Sequence, residues 1–311
     1  MIISASRRTD IPSFFSEWFF NRLKEGYVYI RNPLFAHKVS KVPLNPDLVD
    51  CIVFWTKDPT PMLERLDELK DYMYYIQFTI TGFGHDVEPN LADKNKVIIP
   101  AFQKLVDKIG PDRVIWRYDP ILINEKYTMD YHVRAFEKIA SALKGYTRKS
   151  VISLVDEYRF NKKALEALHE QEMRDQQILE FVGKLHDIAA SNDMKIATCA
   201  EGIDLSSVGV EHNACIDKNL IEELLGGTIK VKKDPSQREE CLCVESRDVG
   251  SFDTCIHGCK YCYATRMRNA VKDNFSKYDP DSPILCDSLH DDDKISEPKV
   301  KSLLDKQISL F

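Results

Sequence analysis

The sequence predicts an α/β fold: a partial or full (β/α) barrel of about six βα units followed by a cysteine-rich C-terminal segment. Three observations carry that expectation. Short apolar, β-prone runs alternate with segments whose apolar residues recur at helical spacing, the pattern of βα units around a parallel sheet. Each apolar run ends in polar or charged residues. Seven of the nine cysteines fall between positions 199 and 262.

The strand candidates are Ile2–Ser6, Cys51–Trp55, Tyr75–Ile80, Val114–Arg117, Val151–Leu154 and Lys195–Cys199. They end in SRRTD, TKD, TITG, RYDP, VDEY and CAEG. Parallel sheets and barrels of this class collect ligands at the carboxyl ends of their strands, so these polar ends mark one active face. The helical candidates are Pro61–Leu69, Ile98–Ile109, Tyr131–Leu143 and Ala164–Ser191. After Gly202 the elements shorten. The expected organisation is a βα-repeat catalytic barrel over residues 1–202 and a cysteine-rich, metal-organised segment over 203–275 that completes it. An extension follows over 276–311, and helices are expected at Tyr263–Asn274 and Pro298–Lys306. A doubly wound sheet is the competing arrangement.

With 43% hydrophobic and 30% charged residues, the 311-residue chain has the composition of an ordinary globular protein. No stretch has the form of a signal peptide or approaches the roughly 18 apolar residues of a membrane span. A cytoplasmic protein with no membrane partner is expected. The net charge of −6 gives no general footprint for nucleic acid, though it leaves room for local basic patches. In a reducing compartment, clustered cysteines bind metal or perform redox chemistry more often than they form disulfides. Cys51 and Cys286 stand apart and are read as packed or surface thiols.

Cys255, Cys259 and Cys262 form a C-x3-C-x2-C pattern. Zinc sites usually take four ligands in two close pairs. Three thiolates on one tight loop suit a [4Fe–4S] cluster that leaves one iron free of protein, and the alternative is a zinc knuckle completed by His257 or another cysteine. With Tyr261 before the last cysteine, C-x3-C-x-aromatic-C resembles the signature of radical S-adenosylmethionine enzymes. The longer string Cys255-x-His257-Gly258-Cys259-x-Tyr261-Cys262-Tyr263-Ala264-x-Arg266 resembles the spore photoproduct lyase branch.

In that branch the cysteine loop follows the first barrel strand, whereas here it stands late. Upstream, Thr56-Lys57-Asp58-Pro59 resembles the branch's T-K-S segment after its second strand. Thr79-Ile-Thr81 through Glu88-Pro89 resembles its T-T…E-P segment, and Asp119-Pro120-Ile121…Asn124 its P-I-I-P…N segment. The order is the family's, displaced ahead of the cysteines, as a circular permutation would leave it. The chain is also similar to a bacterial family without assigned function that shares SRRTDIP, FWTK, WRYDP, CAE and the late cysteine motif.

The resemblance implies a [4Fe–4S] cluster on Cys255, Cys259 and Cys262 and S-adenosylmethionine as cofactor. It also implies an electron donor such as flavodoxin or ferredoxin, and hydrogen abstraction from a substrate for which a nucleic-acid lesion ranks first. In such a site Lys57 would meet the cofactor carboxylate, Thr79 and Thr81 its amino group or ribose, and Arg117 and Asp119 either ligand. Arg7, Arg8, Asp10 and Glu201 are further candidates. His257 is expected to stabilise the loop by a hydrogen bond, and Trp55 and Trp116 to pack in the core.

Cys199, Cys215, Cys241 and Cys243 remain. They are candidates for a second [4Fe–4S] cluster or a zinc site, against the plainer reading of buried thiols. Gln307–Phe311 (QISLF) resembles the short peptide that binds the bacterial sliding clamp through a Leu-Phe anchor. The competing function is a binding module, stabilised by zinc or iron–sulfur, that recruits partners such as the clamp without radical chemistry.

Overall fold

The computed structural model describes residues 1–305. Its strands are β1 (Ile2–Ala5), β2 (Tyr27–Arg31), β3 (Lys38–Pro43), β4 (Cys51–Thr56), β5 (Tyr74–Thr79), β6 (Val114–Ile121), β7 (Lys149–Leu154), β8 (Lys195–Cys199), β9 (Glu211–Asn213), β10 (Arg247–Asp248) and β11 (Lys294–Ser296). Eight of them form one parallel sheet in the order β10-β1-β4-β5-β6-β7-β8-β9. The six expected strands are its centre. Both end strands come from the cysteine-rich segment.

Alternation along the strands divides the interior into two layers. Ile3, Ile52, Phe54, Ile76, Phe78, Trp116, Tyr118 and Ile152 face a large core completed by the helices Ser16–Glu25, Ile99–Ile109, Met129–Leu143 and Asp175–Ser191. Trp116 stacks on Phe136 at 4.6 Å between centroids, and such pairs add about 1 kcal/mol to the burial itself. The intervening residues, Ile2, Val53, Tyr75, Ile115 and Val151, face the opposite way and meet Cys215, Ile216, Ile221, Cys241, Cys243 and Val244. The main helices thus lie on one face of the sheet, and the 215–244 segment covers the other. The helix Lys218–Leu225 belongs to this second layer.

Several local expectations change. Pro61–Leu69 is a helix at Thr60–Leu63 followed by a 3₁₀ turn at Leu66–Leu69. Ala164–Ser191 divides into Lys162–Ala167 and Asp175–Ser191. The helix expected at Tyr263–Asn274 shrinks to a 3₁₀ turn at Arg268–Ala270 and a short helix at Val271–Phe275. Ahead of it, Asp253 accepts from the Met267 amide at 2.7 Å and Arg266 lies over Phe252 at 3.5 Å, holding residues 263–267 in turns. Residues 298–305 form no helix. The Lys230 amide instead donates to the Leu303 carbonyl at 2.8 Å, and Leu304 bridges to Ile229.

Sequence reasoning also missed a small second sheet. In it β3 pairs with both β2 and β11. Among the described residues no helix is long and apolar enough to cross a membrane.

Candidate functional site

The cysteine loop leaves the carboxyl end of β10, whose only ladder neighbour among the described residues is β1. In space, therefore, the cysteine-bearing strand stands at the edge of the sheet ahead of the strand that begins the chain. Asp248 fixes this junction by accepting from Ser4 Oγ and Ser6 Oγ at 2.7 Å and from the Arg7 amide at 2.8 Å. The backbones approach closely here. A Cβ at Gly250 would fall 2.1 Å from Ser6 Oγ, so only glycine fits. Thr56–Pro59 leaves β4, with β1 between it and the cysteine-bearing edge, one strand further in than the resemblance implies.

Around the loop, the segments carrying Asp10 and Asn90 supply hydrogen bonds. His257 Nε2 lies 3.0 Å from Asp10 Oδ2, and the same carboxylate accepts from the Lys57 amide at 2.7 Å and the Ser13 amide at 3.0 Å. The expected loop-stabilising bond of His257 is therefore present. Asn90 Nδ2 donates to the Ile256 carbonyl at 2.7 Å, and the Lys260 amide to the Val87 carbonyl at 3.0 Å. Gly258 has φ +73°, and a Cβ there would stand 3.1 Å from Asn90 Nδ2 and 3.2 Å from Pro89 Cγ.

The centre of the arrangement is Glu88, only 1% exposed. Lys57 Nζ and Lys94 Nζ each donate to it at 2.6 Å, Thr81 Oγ1 at 2.9 Å, and the Tyr261 hydroxyl donates as well. Burial alone would raise the Glu88 carboxyl. The ammonium groups of Lys57 and Lys94 outweigh it and hold the group down at about 2. Three sequence-predicted residues, Lys57, Thr81 and Tyr261, are thus brought together by a carboxylate that was not among the candidates. Thr81 and Lys94 lie seven and six residues away, but Lys57 and Tyr261 are 31 and 173 positions distant, so the resemblance of the segment ending in Glu88-Pro89 marks the residue without revealing this role. Beside it opens a cavity of about 290 Å³ lined by Thr81, Phe83, Glu88, Lys94, Tyr131 and Lys138.

Cys255, Cys259 and Cys262 sit beside this network. Burial pushes the Cys259 thiol up to about 12, with the Lys57 ammonium opposing it, and raises Cys255 well above its ordinary range. A bound cation would reverse that preference, because coordinated thiols are deprotonated. Three thiols on one ordered loop, Cys259 buried and Cys255 and Cys262 half-buried, suit a metal–sulfur group in chemistry.

Arg117 and Asp119 face elsewhere. Arg117 is 5% exposed; its Nε donates to Asp119 at 2.9 Å and its Nη1 to Cys215 Sγ at 2.8 Å. Asp119 also accepts from Ser153 Oγ. Thr79 pairs in register with Arg117 at the end of β5. Glu201 accepts from the Leu154 amide at 2.8 Å, and burial, aided by Asp156 and Asp119, raises its carboxyl to about 7. Arg7 approaches Asp234 at 3.6 Å, and Arg8 Asp248 at 3.8 Å. Trp116 is fully buried, whereas Trp55 is half-buried. Cys51 and Cys286 are buried. The four other cysteines converge on the sheet face away from the main helices, where Cys199 Sγ and Cys215 Sγ are 3.1 Å apart and the Ile216 amide donates to Cys243 Sγ at 3.3 Å. The clamp-like peptide Gln307–Phe311 lies outside the described residues.

Fold and site together define a parallel α/β protein with a cysteine loop at the carboxyl ends of its strands. Residues 2–264 match the family described as a domain of unknown function (DUF1848), and the chain belongs to that family. No curated protein matches the chain.

Proposed function

We propose that this protein is a radical S-adenosylmethionine enzyme related to the spore photoproduct lyase branch by circular permutation. The observation that carries the reading is the position of the C-x3-C-x-Tyr-C loop. It follows an edge strand of a sequentially ordered parallel sheet and is tied through Tyr261 and Asn90 to the segment after β5. A chain whose cysteine-bearing strand had been moved from its beginning to its end would give the spatial order β10-β1-β4-β5. Cys255, Cys259 and Cys262 would hold a [4Fe–4S] cluster, which when bound supplies the electron for reductive cleavage of S-adenosylmethionine. The electron comes from a small donor such as flavodoxin or ferredoxin. Asp10, Glu88 and Asn90 keep the loop rigid, and Lys57, held beside Tyr261 by Glu88, is the cation we assign to a cofactor carboxylate.

Nucleic acid is the substrate class we favour. Flanking the loop, Tyr263 (45% exposed) packs against Tyr158 at 5.7 Å, Phe160 is 48% exposed, and Arg266 lies over both Phe160 and Phe252. Arg8 also lies over Phe252 at 5.1 Å. Exposed aromatic faces among arginines bind unstacked bases and phosphates, and they form a local patch on a chain of net charge −6.

Anaerobic reconstitution followed by iron counting and assay of 5′-deoxyadenosine tests the enzyme reading. About four irons per chain and reductive cleavage of the cofactor are expected, both lost in Cys259→Ala. A fully loaded, reduced protein that yields no 5′-deoxyadenosine with any substrate tried would overturn it.

A further inference from the structure

We propose that Cys199, Cys215, Cys241 and Cys243 form a second metal centre, a four-thiolate site for a single divalent ion of the zinc class. The inference does not depend on the enzyme reading above. The ligands come from three separate places: the end of β8, the turn before the helix Lys218–Leu225, and the C-x-C pair. All four are free cysteines, and Cys215, Cys241 and Cys243 are 5%, 7% and 2% exposed. Cys199 Sγ and Cys215 Sγ are 3.1 Å apart, and Cys243 Sγ accepts from the amide of Ile216, the residue after Cys215.

Packing alone does not explain what surrounds them. A buried free cysteine behaves as a small apolar side chain and needs no cationic donor. Here Arg117 turns Nη1 onto Cys215 Sγ at 2.8 Å, while the Tyr75 hydroxyl and Gln77 Nε2 both donate to the Cys215 carbonyl, at 2.7 and 2.9 Å. The Ile216 amide donates to Cys243 Sγ at 3.3 Å. Hydrogen bonds to ligand sulfurs and fixed ligand backbones are what an outer shell provides at a metal centre. Four thiolates on a divalent ion carry two net negative charges, and the Arg117 guanidinium offsets part of them.

The one close pair favours a single ion over a cube. Tetrahedral bonds of roughly 2.3 Å hold thiolate sulfurs about 3.8 Å apart, so the Cys199–Cys215 pair, 3.1 Å apart, opens by under about 1 Å to take its place. A four-iron cube would drive the sulfurs apart by its own width. A single ion would instead gather the four sulfurs into a tetrahedron and join the 215–244 segment to the end of β8.

Metal and acid-labile sulfide are measured on the intact chain and on the variant carrying Cys255→Ala, Cys259→Ala and Cys262→Ala. About one zinc per chain, without sulfide, is expected in the triple variant. Titrating that protein with a zinc chelator should release the ion and expose four reactive thiols together. Cys241→Ser should cut zinc occupancy at least tenfold; should it fail to fold, the chelator titration decides. A folded triple variant without metal, a Cys199–Cys215 disulfide found by mass spectrometry, or iron with sulfide in place of zinc would each overturn the proposal.

Discussion

The Tyr261 hydroxyl donates to the Glu88 carboxylate, joining the aromatic residue of the cysteine motif to a carboxylate 173 positions earlier in the chain. Lys57 and Lys94 share the same group, so one buried charge organises the loop, the end of β4 and the segment after β5. Glu88→Gln leaves two partly enclosed ammonium groups without their counter-ion, and about 3 kcal/mol of stability should be lost at neutral pH, read by denaturant unfolding.

The same residue sets an acid dependence. A carboxyl held at about 2, below its ordinary 4.5, contributes stability that is complete above pH 4.5 and is lost as pH falls toward about 2. Acid titration of stability in the native protein and in Glu88→Gln should therefore diverge above that window and converge within it. Parallel curves would count against the ion-pair network.

Glu201 should behave oppositely. Its carboxyl is raised to about 7, chiefly by burial, so the folded protein holds a proton that the unfolded chain has released. Stability contributed by the protonated form is present below pH 4.5 and falls as pH rises toward 7. Glu201→Gln should flatten that slope, and carbonyl NMR of the native protein should show one carboxyl with a midpoint near 7.

Gly258→Ala imposes a side chain at φ +73° and against Pro89 and Asn90. A loss of at least about 1 kcal/mol is expected, with weaker iron retention after reconstitution. Ser and Asn at this position order the two effects: Asn tolerates the left-handed conformation, so more iron should be kept with it than with Ser unless crowding against Asn90 dominates. Thermal unfolding and iron counts on the three variants separate conformation from crowding.

Tyr261→Phe keeps the ring against Phe83 but removes the hydrogen bond to Glu88. Stability should fall by about 1.5–3 kcal/mol, the value of a hydrogen bond to a charged group, with the sheet intact by circular dichroism. An unchanged unfolding midpoint would argue that Lys57, Lys94 and Thr81 suffice to satisfy Glu88.

Much of the sheet is legible in the sequence because its central strands are buried on both faces and read as uninterrupted apolar runs. Tyr27–Arg31 and Lys38–Pro43 escape notice since they lie in a small, half-exposed sheet, and Lys38, Ser40 and Lys41 interrupt the apolar pattern of the second. β10 is two residues long and carries two charges, Arg247 and Asp248, so nothing local marks it as a strand. The cysteine loop is visible because its spacing is local. Glu88 and the convergence of Cys199, Cys215, Cys241 and Cys243 depend on contacts between distant segments, which only the fold supplies.

The place of β10 beside β1 has a consequence for synthesis. A ribosome finishes β1 and β4 through β9 before Cys255, Cys259 and Cys262 emerge, and chains tend to fold from the amino end as they are made. The thiols of the loop therefore meet a scaffold that already holds Asp10, Lys57, Glu88 and Asn90 in position. A nascent chain stalled before Arg247 would carry the docking surface without the loop, so the cysteines are added only after the strands that receive them.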